Sequence, residues 1–379
     1  MRRAWSGRSV AVFYAVAMVT AYLIALGPEP RLLGRPLLYE PPYAWLMRLP
    51  GFDVMRVPAR FAMVGVLCQS MLLAFGVTWV IAHARRASAV VLLIGAGLLG
   101  DGWMRLPVEA APGPGLPPAR PTAAVVELPA GGTHDFGAIY RAIAHGLPIV
   151  NGFSGYYPPH YLPFTYAIRD GQYSALYELA NGHPLAVAVN RTAPEAPAIE
   201  ARLASMTGIA RGPSNDQWAS FTVVGRPPVA APIGPPIAVR SIHVNRFPQD
   251  VARMTNGSVE SAWNAGLNQI GDEEVTIDLG STQDVGAIVF KMGAFAFGFP
   301  RALEIDSSRD GTTWDPIWGG QPAVLTVHAA IADPGVVPLT IDLGRVATRY
   351  LRIRQTGSEP GIPWWIPELI ICGPAARAR

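Results

Sequence analysis

A chain of 379 residues has room for two or three domains, and with 50% hydrophobic and only 15% charged residues it is too apolar for an ordinary soluble protein. Part of it is expected in a bilayer. A net charge of +3 without a dense basic run argues against nucleic acid as a partner, and the near-exclusive use of Arg, with Lys291 the only lysine, reads as the coding bias of a GC-rich bacterial genome.

Three apolar stretches head the chain: Ser9 to Leu26, Phe61 to Ala82, and the shorter, Gly-rich Ala87 to Leu99. About 20 apolar residues cover a hydrocarbon core, so residues 1–104 are expected to form about three transmembrane helices. The first resembles a signal peptide in following Arg2, Arg3 and Arg8, but it is long for a signal core and no small-x-small site precedes Gly27-Pro28, which favours an anchor. The positive-inside rule puts those arginines and His83-Ala-Arg85-Arg86 in the cytoplasm and everything after Trp103 outside. The loop 27–60 then lies outside, although Arg31, Arg35, Arg48, Arg56 and Arg60 run against the rule. It is expected to fold onto the membrane or other protein, or to meet an anionic ligand with its arginines.

Residues 105–122 read as a linker around Pro112-Gly-Pro-Gly-Leu-Pro-Pro118. A small extracytoplasmic α/β domain follows at 123–225, with strands at Ala123–Leu128, Leu185–Val189 and Trp218–Val224. Its helices are expected at Asp135–His145, capped by Thr133 or Asp135, and at Ile199–Thr207. Residues 226–240, with Arg226-Pro-Pro and Gly234-Pro-Pro236, form a second hinge.

Within these segments, Leu49-Pro-Gly-Phe-Asp-Val-Met-Arg56-Val-Pro58-Ala-Arg60-Phe61, Val125-Val-Glu127-Leu-Pro129 and His145-Gly-Leu-Pro148 through Asn151-Gly152-Phe-Ser154-Gly155-Tyr156 to His160-Tyr161 resemble the C-terminal part of bacterial multi-spanning glycosyltransferases of the GT-C type. That resemblance implies a catalytic acid in a first extracytoplasmic loop. The earliest exposed acids here, Glu29, Glu40 and Asp53, match no such loop, so no catalytic residue carries over and the chain reads as the C-terminal portion of such a protein.

The last third is a run of short alternating strands: Val275–Leu279, Ala287–Lys291, Leu303–Asp306, Leu339–Leu343, Tyr350–Arg354 and Leu369–Cys372, with a hairpin signal at Asp310-Gly311. The pattern predicts an all-β sandwich at 241–375. Glu274-Val-Thr-Ile-Asp278-Leu-Gly280, Ser307-Ser-Arg-Asp310-Gly311-Thr-Thr-Trp314, Arg349-Tyr-Leu-Arg352-Ile and Trp364-Trp365-Ile-Pro-Glu368-Leu resemble, in this order, the discoidin or coagulation factor 5/8 C-type domain, a jelly-roll sandwich that binds ligands and seldom catalyses.

Candidate ligand-binding residues are Phe295, Phe297, Trp364, Trp263 and Asn264, because aromatic faces on loops stack on sugars or enter lipid interfaces. For Trp263, Trp314 and Trp365 the competing expectation is a place in the core. The resemblance implies a calcium site, here Asn256-Gly257-Ser258 with Glu368, although Asn256 stands where an aspartate is common and Glu368 could instead hold the loop's amides. No other cofactor is expected. His145, His160 and His183 with Glu127, Asp135 and Glu178 fit no metal-ligand spacing, Gly152-Phe-Ser154-Gly-Tyr156 lacks the second glycine of a nucleophile elbow, and Cys68 and Cys372 read as packing residues. The expected function is a membrane-anchored protein of the bacterial inner membrane that presents a domain binding carbohydrate, glycolipid or another envelope ligand. A non-catalytic part of a glycosyltransferase, or a structural protein that meets another envelope protein, are the alternatives.

Overall fold

The computed structural model describes residues 9–28, 30, 41–49, 58–83, 85–103, 111–115, 122–152, 157–224 and 233–375, with the backbone alone at 31–32 and 35–36. The motif over Arg56, most of both linkers, Ser154 with its neighbours, and Arg2, Arg3 and Arg8 lie outside these residues. The chain divides into two compact units, residues 1–109 and 110–379.

The first unit holds helices α1 (Val10–Ala25), α2 (Phe61–His83) and α3 (Ala87–Asp101). Joined to the turn Pro58–Arg60, α2 reaches 26 residues and is, among the described residues, the one helix long and apolar enough to cross a membrane. The other two, at 16 and 15 residues, stop short of the roughly 20 that a perpendicular span needs, so the expected three spans become one helix of spanning length and two shorter apolar ones. Helices α1 and α2 pack closely because Gly65 faces the Tyr22 ring: a Cβ there would lie 3.0 Å from it. Tyr22 also donates its hydroxyl to Gln69 Oε1 at 2.9 Å.

The second unit begins with a four-stranded sheet of β1 (Ala124–Leu128), β2 (Pro184–Asn190), β3 (Ile209–Ser214) and β4 (Trp218–Val224), in the order β1-β2-β4-β3. Strands β1 and β2 are parallel and the other pairs antiparallel. Parallel neighbours need a crossover, and the segment between β1 and β2 supplies it with α4 (Thr133–His145), α5 (Tyr161–Arg169) and α6 (Ala175–Ala180); α7 (Ala196–Ser205) links β2 to β3. The expected cap on α4 is replaced by a longer-range bond, since no side chain caps the helix and Asp135 Oδ1 instead accepts the Gly131 amide at 3.0 Å.

A β-sandwich follows: β5 (Ser241–Val244), β6 (Glu273–Lys291), β7 (Leu303–Ser308), β8 (Asp315–Gly320), β9 (Pro338–Gln355) and β10 (Glu368–Cys372). All of its strand pairs are antiparallel, in the path β8-β7-β9-β6-β10, with β5 also against β6. Four of the short strands read from the sequence are halves of two long ones. Strands β6 and β9 pair along nearly their whole length, with breaks in register after Asp278 and Val285 where such long strands can bend. Alternation then works as expected: Val275, Ile277, Leu339, Ile341, Leu351 and Ile353 are fully buried. The hairpin at Asp310-Gly311 joins β7 to β8, where the Asp310 carboxylate accepts the amides of Thr312 and Thr313; those bonds hold it well below the usual carboxylate range.

One element was not legible as such: α8 (Ala323–Ala332), inserted between β8 and β9. It packs on β9 on one side and on α5 and α6 on the other, so the two folds share one continuous apolar core. Polar groups close the seam. The Arg301 guanidinium lies 3.9 Å over the Tyr166 ring of α5 and 4.1 Å over Phe299 of the sandwich, and those two rings meet edge-on at 5.8 Å. Arg301 donates to the carbonyls of Phe299 at 2.6 Å and Phe297 at 3.2 Å. Across the same seam, Arg169 of α5 reaches Glu359, Gln172 bonds Gln321, and His328 of α8 meets Glu178 of α6 at 2.8 Å.

Arg301→Ala leaves two carbonyls and the Tyr166 face without their cation, and a hydrogen bond to a charged group contributes about 1.5–3 kcal/mol. A loss of that size is expected in denaturant unfolding of the full chain. Arg301→Lys should recover little of it, because an ammonium cannot both stack and fork; full recovery by lysine would contradict the stacked geometry.

Candidate ligand-binding face

The five residues singled out from the sequence fall into two environments. Trp263 and Trp364 have no exposure, and their rings meet edge-on at 5.6 Å in the sandwich core, so the expectation that they contact ligand is corrected: no sugar face can reach them. Trp263 donates its indole N–H to the Arg246 carbonyl at 3.0 Å, which satisfies a donor that burial would otherwise strand. The bridge Trp365–Ile366 pairs with Trp263–Asn264, and side chains alternate along a strand, so Trp364 turning inward leaves Trp365 half-buried at the surface.

Trp365 is the base of an aromatic cluster. Phe295 and Phe297, both half-buried, meet it at ring distances of 4.6 and 4.9 Å with interplanar angles of 64° and 66°. They lie on a connecting segment, as expected, which folds as the 3-10 helix Gly293–Gly298. Gly298 ends it where a Cβ would sit 2.9 Å from the Pro363 carbonyl and 3.4 Å from Trp365, so only glycine lets the two segments touch. Asn264 stands opposite Trp365 in the bridge, with Oδ1 accepting the Gly266 amide at 2.9 Å and Nδ2 without a partner among the described residues. The result is a half-exposed aromatic platform with a side-chain amide at its edge.

The platform is not independent of the seam. Arg301 Nη2 holds the Phe297 carbonyl, and Gln269 fixes the adjacent turn by donating to the Phe299 carbonyl and accepting the Arg301 amide, both at 3.0 Å. Burial pulls the Arg301 guanidinium below its ordinary value, with Tyr166 and Glu359 opposing that pull. The sequence held a weak signal for this arrangement at most, since Arg301 and Tyr166 are ordinary residue types 135 positions apart (301 − 166).

The residues proposed for calcium form a clasp of another kind. Glu368 is buried and its Oε2 accepts the Gly257 amide at 2.9 Å; Asn256 accepts the Ser258 amide and donates to Ser261 Oγ. One carboxylate, one amide and hydroxyls carry little of the charge from which calcium sites draw affinity, and Glu368 Oε2 and Asn256 Oδ1 already take N–H donors. The side chains present do not fit the ion.

A second polar cluster lies in the α/β fold, at the end of β1. Asp135 takes the Tyr161 hydroxyl at 2.6 Å and the Asn151 amide at 3.1 Å, Asn151 exchanges two bonds with the Glu127 backbone, and Glu127 is forked by Arg141. Burial, then the bond to Asp135, raises Tyr161 above its ordinary value, and burial lowers His160. Each carboxylate is committed to a protein donor, as is Glu178 to His328, so this is scaffolding for the loop after β1 rather than a reactive centre.

Two outcomes test these placements. Trp364→Ala should cost about 3–5 kcal/mol of stability, the range for large aromatics lost from a core, whereas Phe297→Ala should cost much less; comparable melting shifts would contradict the division. A calcium titration should leave the melting temperature unchanged, and an upward shift saturating with the ion would contradict the clasp.

The family described as F5/8 type C domain matches residues 241–368. Among solved structures, the chain is similar to CpGH89CBM32-6 from Clostridium perfringens, with 21% identity over 35% of this chain and 90% of that one and a TM-score of 0.26. It is also similar to the CBM32 of AlyQ in complex with 4,5-unsaturated mannuronic acid (17% identity, 36% and 96% covered, TM-score 0.28). A third is chitosan-binding module 1 from a chitosanase/glucanase of Paenibacillus sp. IK-5 (16% identity, 36% and 98% covered, TM-score 0.27). No curated protein matches the chain in sequence. Residues 241–368 are an F5/8 type C domain.

Proposed function

We propose that the chain is a membrane-anchored protein of the bacterial inner membrane that holds an envelope carbohydrate on the Phe295–Phe297–Trp365 platform outside the cytoplasm. The observation that carries the reading is the platform itself: half-exposed rings beside an uncommitted Asn264 amide offer a sugar both an apolar face and a hydrogen-bond donor. Anchoring draws on Pro58–His83, whose length and composition suit a span.

A second reading makes the chain an accessory part of a GT-C-type glycosyltransferase. It draws on the seam: a rigid joint positions a ligand relative to a neighbouring domain, which simple capture does not require. That reading expects an adjacent reading frame encoding further spanning helices and an acidic first loop.

The binding claim is tested with the full chain in nanodiscs on an array of bacterial envelope glycans. Specific retention is expected, weakened about three- to tenfold by Phe297→Ala, in line with the contribution of one aromatic contact. Retention that ignores both Phe295→Ala and Phe297→Ala would remove the platform from the account, and no retention at all would favour a structural role.

A further inference from the structure

We propose that the face of α2 carrying Gln69 and Gly76 is a contact between two copies of this chain within the membrane. The inference rests on reading Pro58–His83 as a spanning helix. Gln69 lies 11 residues from one end (69 − 58) and 14 from the other (83 − 69), near mid-depth of a core about 30 Å thick. Its Oε1 accepts the Tyr22 hydroxyl, while its Nε2 has no partner among the described residues and the side chain is exposed. At that depth lipid tails offer no acceptor, and an amide N–H left unpaired there is costly.

The surroundings of Gln69 are shaped for a helix. Met18, Tyr22, Leu73, Gly76 and Val80, with Ile94 of α3, line a concavity of about 650 Å³ beside it. Nothing lies within 4 Å of a Cβ placed on Gly76, so a neighbouring helix can approach the backbone there. A lipid chain could fill the space but would leave the amide unpaired. A second copy supplies, at the same depth by symmetry, a carbonyl oxygen with a spare lone pair, and the two amides are complementary in charge: the positive N–H end of each meets the negative oxygen of the other. The contact is continuous with the α1–α2 packing through the Tyr22–Gln69 bond.

The test uses the full chain in cell membranes with Cys68→Ala and Cys372→Ala, carrying Leu73→Cys on the proposed face or Leu92→Cys on the side of α3 turned away from Ile94; these side chains are 59% and 73% exposed. After an alkaline carbonate wash, Leu73→Cys is expected to cross-link to twice the chain mass and Leu92→Cys is not. Adding Gln69→Leu should lower the cross-linked fraction about three- to fifteenfold, and Gln69→Asn should restore part of it. Release of the protein by carbonate would overturn the membrane reading and this proposal with it. Retained protein that stays monomeric, cross-links only at another mass, or ignores Gln69→Leu would overturn the dimer contact alone.

Discussion

Arg301 is the group on which the second unit depends. A guanidinium with almost no exposure is held here between Tyr166 and Phe299 while its two terminal nitrogens donate to two carbonyls; its Nε lies 3.9 Å from Glu359 without a hydrogen bond. One ring belongs to the α/β fold and the other to the F5/8 type C domain. The same cation therefore holds the two folds together and sets the backbone of the aromatic platform. Neither fold presents this end to solvent as a free module, and α8 extends the shared core along the rest of the seam.

This arrangement changes what the F5/8 type C domain can do. A binding module on a flexible tether raises the local concentration of its ligand; a module fused to its neighbour also fixes the ligand's orientation. Further polar pairs, Arg169–Glu359, Gln172–Gln321 and Glu178–His328, cross the seam beside its apolar contacts, as polar pairs accompany apolar packing in a specific interface. The exposed ion pairs there contribute little individually, so the seam's strength lies in Arg301 and the apolar side chains of α8.

The sandwich was largely legible in the sequence because β-strands write their buried face as alternation: Val275, Ile277, Leu351 and Ile353 announce both strand and face. Other features could not be read that way. Ala323–Ala332 is apolar except for Thr326 and His328, since it is covered from two directions, and so short and apolar a run carries no clear period. Trp364 and Trp365 had to point opposite ways, but which one faced inward depended on a two-residue bridge whose register only the fold supplies. The platform and the seam depend on residues brought together from distant positions, which leave no local pattern. In the first unit, hydropathy identified all three helices and placed the ends of α1 and α3 to within two residues; at 16 and 15 residues these two are simply shorter than a perpendicular span.

Native-state hydrogen exchange on the full chain tests the shared core most directly. If the α/β fold and the F5/8 type C domain are one cooperative structure, the slowest amides of β2, such as Val187, and of β9, such as Leu351, open with the same free energy and the same denaturant dependence. Two separate opening levels, with β2 exchanging while β9 stays protected, would show that the domains fold independently and that Arg301 joins them only loosely.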